Sequence, residues 1–207
     1  KKMSSMSMRF GVGMCPPGVT KLSSFRKPNV NDLFKPVLKP LDEEASIVYT
    51  TGYTGPAKGV AYTHGIYISQ MEQIRRTYGA GPEEVDMPTF PLFACFSVAL
   101  GMTCVIPEMD PSKPSEVDPK LFVDLVKDQG VTFSFGSPAL WRRVATYCKD
   151  NHIRLRSLHK VLMIGAPVDD QLHQLVKSVI HQDGETFVPY GATEAMPVAS
   201  FTGSEMV

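Results

Sequence analysis

From Ser46 onward the chain alternates short β-prone apolar runs with stretches whose apolar residues recur every three or four positions. Ser46–Thr50 and Val60–Tyr62 are β-prone. Thr63 then stands as an N-cap before a helix carrying Tyr67, Met71, Ile74 and Tyr78 on one stripe, closed by Gly79. Further strands are expected at Met87–Phe90, Thr103–Ile106, Val131–Phe135, Val161–Ile164 and Thr186–Pro189. Helices are expected over Leu92–Leu100, along Leu121, Phe122, Leu125 and Val126, along Leu140, Trp141, Val144, Tyr147 and Cys148, and along Leu172, Leu175, Val176 and Val179. The Pro- and acid-rich stretch 107–119 is a surface loop. At least four strand–helix alternations call for βαβ units, so the fold class is α/β, a mainly parallel sheet flanked by helices. In such sheets the chemistry collects in loops beyond the C-terminal strand ends.

Composition narrows the field further. Of 207 residues, 43% are apolar and 20% charged, a balance that disordered and collagen-like chains do not have. No run nears the roughly 18 apolar residues of a membrane span, and residues 1–14 lack the apolar stretch of a signal peptide. A soluble, cytoplasmic protein is therefore expected, with no transmembrane segment. Net charge is zero, yet residues 1–40 hold eight Lys/Arg against Asp32 alone, and the remainder holds 13 basic and 20 acidic side chains. A basic arm can serve nucleic acid. Here aromatics are sparse and the charges scattered, so a solvated connecting segment is the expectation. Pro16, Pro17, Pro28, Pro36 and Pro40 interrupt every early apolar run, which divides the chain into a Pro-rich basic segment (1–45) of unassigned role and a domain (46–207). Cys15, Cys95, Cys104 and Cys148 show no metal-site spacing and are expected as reduced thiols. His64, His152, His159, His173 and His181 form no i, i+4 pair, so surface or capping roles are expected for them, and Trp141 is expected in the core.

One loop carries chemistry. Thr50–Val60 holds three glycines, three threonines and Lys58 in eleven residues, directly after a strand. Glycines let backbone N–H groups approach an anion, threonine hydroxyls donate further hydrogen bonds, and a lysine offers a mobile cation. It is not a Walker A loop, because Ala57 and Gly59 flank the lysine where Gly and Ser/Thr are required. The loop resembles the signature of the adenylate-forming enzymes, which include acyl-CoA synthetases, fatty-acyl-AMP ligases, firefly-luciferase-like proteins and nonribosomal adenylation domains. Two positions depart from that signature: Tyr53 replaces a small hydroxyl residue and Ala57 a proline. Tyr190-Gly191-Ala192-Thr193-Glu194, expected just after a strand, resembles the same family's Tyr-Gly-x-Thr-Glu motif. Gly165-Ala166-Pro167 resembles its adenine-pocket turn, with Ile164 in place of a first glycine.

The resemblance implies roles. Thr50, Thr51, Gly52, Tyr53, Thr54 and Gly55 would cradle the phosphates of ATP, with Lys58 as their cation. Gly165, Ala166 and Pro167, with Tyr190 and Gly191, would hold the adenine. Thr193 would touch a phosphate and Glu194 would bind Mg²⁺. Phe90–Phe96, in a run reaching Met102, resembles the family's acyl-pocket region, with Ala94 in place of a histidine, and is most similar to the olefin-biosynthesis branch of β-lactone synthetases. That branch implies ATP-dependent activation of a long-chain 3-hydroxy acid, alongside partner enzymes of a lipid or olefin pathway. A fatty-acid–CoA ligase, which alone of the alternatives would use CoA, a fatty-acyl-AMP ligase, and a catalytically silent nucleotide-binding domain are the other readings. Ser134, Phe135 and Ser137, around Gly136 at a strand end, are candidate pocket residues. The family's ribose-binding Asp segment and C-terminal domain have no counterpart in this sequence. The chain is thus expected to be a partial adenylation domain of a larger enzyme, inactive by itself.

Overall fold

The computed structural model describes residues 10–25, 36–50 and 58–206, without the side chains of Phe10, Phe25 and Thr50. It divides into two units. The first ends at Leu38 and contains β1 (Phe10–Gly11) parallel to β2 (Thr20–Lys21), then one 3-10 turn over Leu22–Phe25.

The second unit, from Lys39, opens with an antiparallel ribbon of β3 (Glu44–Thr50) and β4 (Lys58–Thr63). The sequence placed these two strands among the βαβ units; they form a separate two-stranded sheet instead. Helix α1 (His64–Tyr78) follows, with the Thr63 hydroxyl accepting from the Ile66 amide and Gly79 left-handed at φ 60°. Then come β5 (Val85–Pro88), α2 (Pro91–Ala99), β6 (Thr103–Cys104), α3 (Pro119–Asp128), β7 (Phe133–Gly136), α4 (Pro138–Asp150) and β8 (Lys160–Met163). The chain continues through α5 (Asp170–Val179), β9 (Glu185–Ala192), β10 (Ala195–Thr202) and the short α6 (Gly203–Met206). Asp118, Ser137 and Asp169 cap α3, α4 and α5 through their side-chain oxygens, each worth about 1 kcal/mol.

The main sheet has the order β10-β9-β8-β7-β5-β6, parallel throughout except for antiparallel β10. Alternate residues of each strand feed opposite faces. Val161 and Met163 join Trp141, Leu140, Phe122 and Val176 beneath α3, α4 and α5. Phe133, Phe135 and Leu162 join Tyr78 and Met102 on the face of α1 and α2. Trp141 is fully buried, as expected, edge-on to Phe122 at 5.7 Å.

Several expected boundaries move. The strand at Met87–Phe90 lies two residues earlier, because Phe90 is already the extended cap of α2 and Pro91 its first residue. The strand expected at Thr103–Ile106 shortens to an edge pair, and the 107–119 loop contains a 3-10 turn over Pro114–Glu116. His173 is not at the surface. It is fully buried, with Nδ1 2.7 Å from the Thr186 hydroxyl, and burial holds its pKa below the usual value. Among the described residues, no helix is long and apolar enough to cross a membrane.

Candidate active site

The C-terminal ends of the parallel strands form a ledge. Leu162 of β8 is in register with Phe187 of β9; Gly165 follows two residues after the end of β8, and Tyr190 lies further along β9. Gly165 has φ 97°, a conformation that favours glycine, and the Gly165-Ala166-Pro167 turn is exposed. Tyr190 is 69% exposed, its ring free to offer a flat apolar face. The adenine-pocket candidates thus lie just after the end of β8 and on the neighbouring strand β9.

The Tyr190–Glu194 motif is not wholly a loop after a strand. Tyr190, Gly191 and Ala192 belong to β9, and only Thr193 and Glu194 form the turn into β10. Antiparallel β10, which the sequence did not suggest, extends β9 beyond its expected end. A Cβ on Gly191 would stand 2.8 Å from the Ala195 carbonyl oxygen and 3.2 Å from the Met196 Cα, so a side chain there would push the hairpin apart.

The turn is anchored from beneath. The Tyr62 phenol donates to the Thr193 carbonyl, and the Gln70 amide donates to both that carbonyl and the Tyr62 oxygen at 3.3 Å. Both side chains are buried. Burial, reinforced by Tyr67 and Glu194 and opposed by Gln70, raises the Tyr62 pKa, so the phenol keeps its proton as a donor. Sequence reasoning missed this pair: a tyrosine ending a strand and a glutamine in a helix give no signal until the chain brings them to a carbonyl more than 120 residues away.

Glu194 is exposed and lines a groove of about 350 Å³ between the turn, Met196 and Pro197 on one side and Thr63, Ile66 and Gln70 on the other. Its carboxylate makes no hydrogen bond or ion pair with another described residue. A hard, uncommitted carboxylate beside the half-buried Thr193 fits Mg²⁺, which takes one or two protein carboxylates and keeps substrate phosphates and waters as its remaining ligands. No group of three His, Cys, Asp or Glu side chains that could cage a metal occurs among the described residues.

Lys58 is the exposed first residue of β4, four residues before Tyr62, roughly 13 Å along the strand. Thr50 ends β3. Thr51, Gly52, Tyr53, Thr54 and Gly55 lie outside the described residues.

Below the ledge, on the α1/α2 face, is an apolar cavity of about 40 Å³. Phe93, Phe96, Leu100 and Met102 line it from α2 and the turn that follows, Phe133 and Phe135 from β7, and Met196 and Pro197 close it. Phe93 and Phe135 stack with centroids 3.7 Å apart. Of the three candidate pocket residues around Gly136, only Phe135 reaches the cavity. Ser134 is buried donating to the Met87 carbonyl at 2.7 Å, and Ser137 is committed to capping α4. Met196 and Pro197 also border the Glu194 groove, so one wall divides the two spaces.

A doubly covered, mostly parallel sheet with these three motifs defines the adenylate-forming class. Residues 16–206 match the family of AMP-binding enzymes, and the chain belongs to that family. It is 41% identical over 162 residues to the olefin beta-lactone synthetase of Xanthomonas campestris pv. campestris, covering 78% of this chain and 28% of that protein. With the olefin beta-lactone synthetase of Stenotrophomonas maltophilia it shares 40% identity over 173 residues, 83% of this chain and 31% of that one. The chain thus spans about three tenths of the length of these relatives. Its fold is like that of the nonribosomal peptide synthetase FmoA3, with a TM-score of 0.74 at 22% identity over 90% of this chain and 21% of that chain.

Proposed function

We propose that the protein containing this chain activates a long-chain 3-hydroxy acid with ATP and Mg²⁺, forming an acyl-adenylate that closes to a β-lactone. The observation that carries this reading is the shared wall: the carboxylate-bearing turn Thr193–Glu194 and an apolar cavity stand on either side of Met196–Pro197. The 41% identity to an olefin beta-lactone synthetase favours the lactone over the other fates of the adenylate.

In the first step a substrate carboxylate oxygen bonds to the α-phosphorus of ATP, and the bond from that phosphorus to the pyrophosphate oxygen breaks. Tyr190 and the Gly165–Pro167 turn hold the adenine, and Lys58 and the Thr50–Gly55 loop bind the leaving phosphates. Thr193, fixed through its carbonyl by Tyr62 and Gln70, presents its hydroxyl to phosphate. Glu194 would hold Mg²⁺, which when bound offsets phosphate charge. Catalysis of this kind is mostly positioning and charge stabilisation. In the second step the 3-hydroxyl oxygen bonds to the acyl carbon, its proton is lost, and AMP leaves with the former carboxylate oxygen. The product is the hydroxy acid less one water.

The test is mass spectrometry of the products from the whole protein given ATP, Mg²⁺ and a long-chain 3-hydroxy acid, with and without CoA. A product lighter by one water, with AMP and independent of CoA, is expected. An acyl-CoA formed only when CoA is present would make the protein a ligase, and ATP binding without pyrophosphate release would make it catalytically silent.

A further inference from the structure

Asp86 is out of place in its surroundings. It lies on β5, 3% exposed, and is the only carboxylate among the described residues that line the apolar cavity. One oxygen, Oδ2, accepts from the Ser97 hydroxyl. The other, Oδ1, is buried without a hydrogen-bond partner. Native interiors rarely leave a buried polar atom unpaired, and each such atom calls for a physical explanation.

Two other polar side chains, Ser97 and Tyr78, line the cavity. The Ser97 hydroxyl is shared between Asp86 and the Phe93 carbonyl. The Tyr78 phenol oxygen is, like Asp86 Oδ1, buried without a hydrogen-bond partner. Asp86 Oδ1 and the Tyr78 hydroxyl are thus the polar atoms open to an occupant among the described residues. The cavity's 40 Å³ exceeds the roughly 10–15 Å³ that one water-sized group requires.

We propose that Asp86 is a specificity-determining residue that recognises a hydroxyl on the acyl substrate, pairing it through Oδ1 inside the apolar cavity. The assignment rests on the acyl-activating function proposed above and names the group that selects its hydroxylated substrates. An acyl substrate without a hydroxyl leaves Oδ1 unpaired. A chain with a hydroxyl near its carboxyl end satisfies it. Sites built to hydrogen-bond a substrate hydroxyl discriminate far more strongly than sites that only measure apolar length, because the missing group strands a buried polar partner. Burial also pushes the Asp86 pKa up to about 7, opposed chiefly by the Ser97 hydroxyl, so near neutrality the protonated carboxyl both donates and accepts, as a hydroxyl partner does. The position suits the role: the cavity shares Met196 and Pro197 with the groove of Glu194, close to where the carboxylate is activated.

The test uses ATP–pyrophosphate exchange by the whole protein with three acids of equal chain length: unsubstituted, 3-hydroxy and hydroxylated far from the carboxyl. Wild type is expected to prefer the 3-hydroxy acid over both others by at least tenfold in kcat/KM. Asp86→Ala should bring the 3-hydroxy to unsubstituted ratio to within about threefold of unity, with Asp86→Asn between the two. Should the variants fail to fold, the wild-type comparison alone decides, since equal use of all three acids overturns the assignment. A preference that survives Asp86→Ala, or a loss that falls equally on all acids, shows Asp86 to be structural only and also overturns it. Absence of exchange with every acid in wild type overturns the proposed function itself, a result distinct from exchange without preference.

Discussion

Replacing Asp86 by Asn removes a carboxyl that titrates near 7 in the fold but at 3.8 in an unfolded chain. The dominant cause is removal from water, with Glu84 adding to it. Between these two pH values the folded protein holds a proton that the unfolded chain has released, so wild-type stability falls as pH rises from about 4 through 7. At about 1.4 kcal/mol per pH unit, the full difference is roughly 4 kcal/mol, of which more than half lies between pH 5 and pH 8. The neighbouring Cys104 thiol, pushed up by burial and by Asp86, stays protonated throughout that window. Asp86→Asn has no such titration. Hydrogen exchange of the β5 and β7 amides, corrected for intrinsic rates, reads the effect within the whole protein. The ratio of wild-type to Asp86→Asn exchange is expected to rise about a hundredfold from pH 5 to pH 8. A ratio that does not change with pH would mean that the carboxylate is hydrated and ionised in the fold, and the argument from desolvation would fail.

Tyr62→Phe leaves the Thr193 carbonyl with only the longer Gln70 contact, a loss of about 1–2 kcal/mol at a buried acceptor. Pyrophosphate exchange should drop about tenfold while β7 and α4 stay protected, whereas unchanged exchange would show that the anchor does not position the turn. Gly191→Ala forces a Cβ to within 2.8 Å of the Ala195 carbonyl, so the hairpin must shift. Calorimetry should show ATP affinity at least tenfold weaker, with the thermal unfolding of the α3–α5 side little altered. Trp141→Ala empties a fully buried site against Phe122 and should cost about 3–5 kcal/mol, read as a fall in the urea midpoint.

The parts of the fold legible in the sequence are those held by local periodicity. Leu121, Phe122, Leu125 and Val126, or Leu172, Val176 and Val179, repeat at helical spacing because one face of each helix covers the sheet. Strand limits were less legible, for reasons visible at particular residues. Asp86, a charged side chain inside β5, hides the strand's true start, while Thr89 and Phe90 continue the apolar run after the chain has turned toward Pro91. The strand β10 carries Pro197 and a register break between Ala195 and Ala199, so no period-two pattern marks it. Its pairing with β9 is a tertiary fact, and it alone explains why the Tyr190 motif is half strand and half turn.

The same distinction applies to the candidate site. Gly165, Tyr190, Thr193 and Glu194 stand out as a motif because their chemistry is confined to short stretches of chain. Tyr62, Gln70 and Asp86 do not, since each is defined by a partner or space that only folding supplies. Tyr62 is linked to the cavity through ring contacts with Tyr67 at 4.7 Å, Tyr67 with Phe96 at 5.8 Å and Phe96 with Phe93 at 6.2 Å. The anchor of the Thr193–Glu194 turn and the wall of the apolar cavity are therefore one packed row. Interiors packed at this density transmit displacement from one side chain to the next. Phe96→Ala should accordingly alter both the apparent affinity for ATP and the choice of acid. A variant in which acid preference changed while ATP affinity remained at its wild-type value would show that the two sides of the Met196–Pro197 wall act independently.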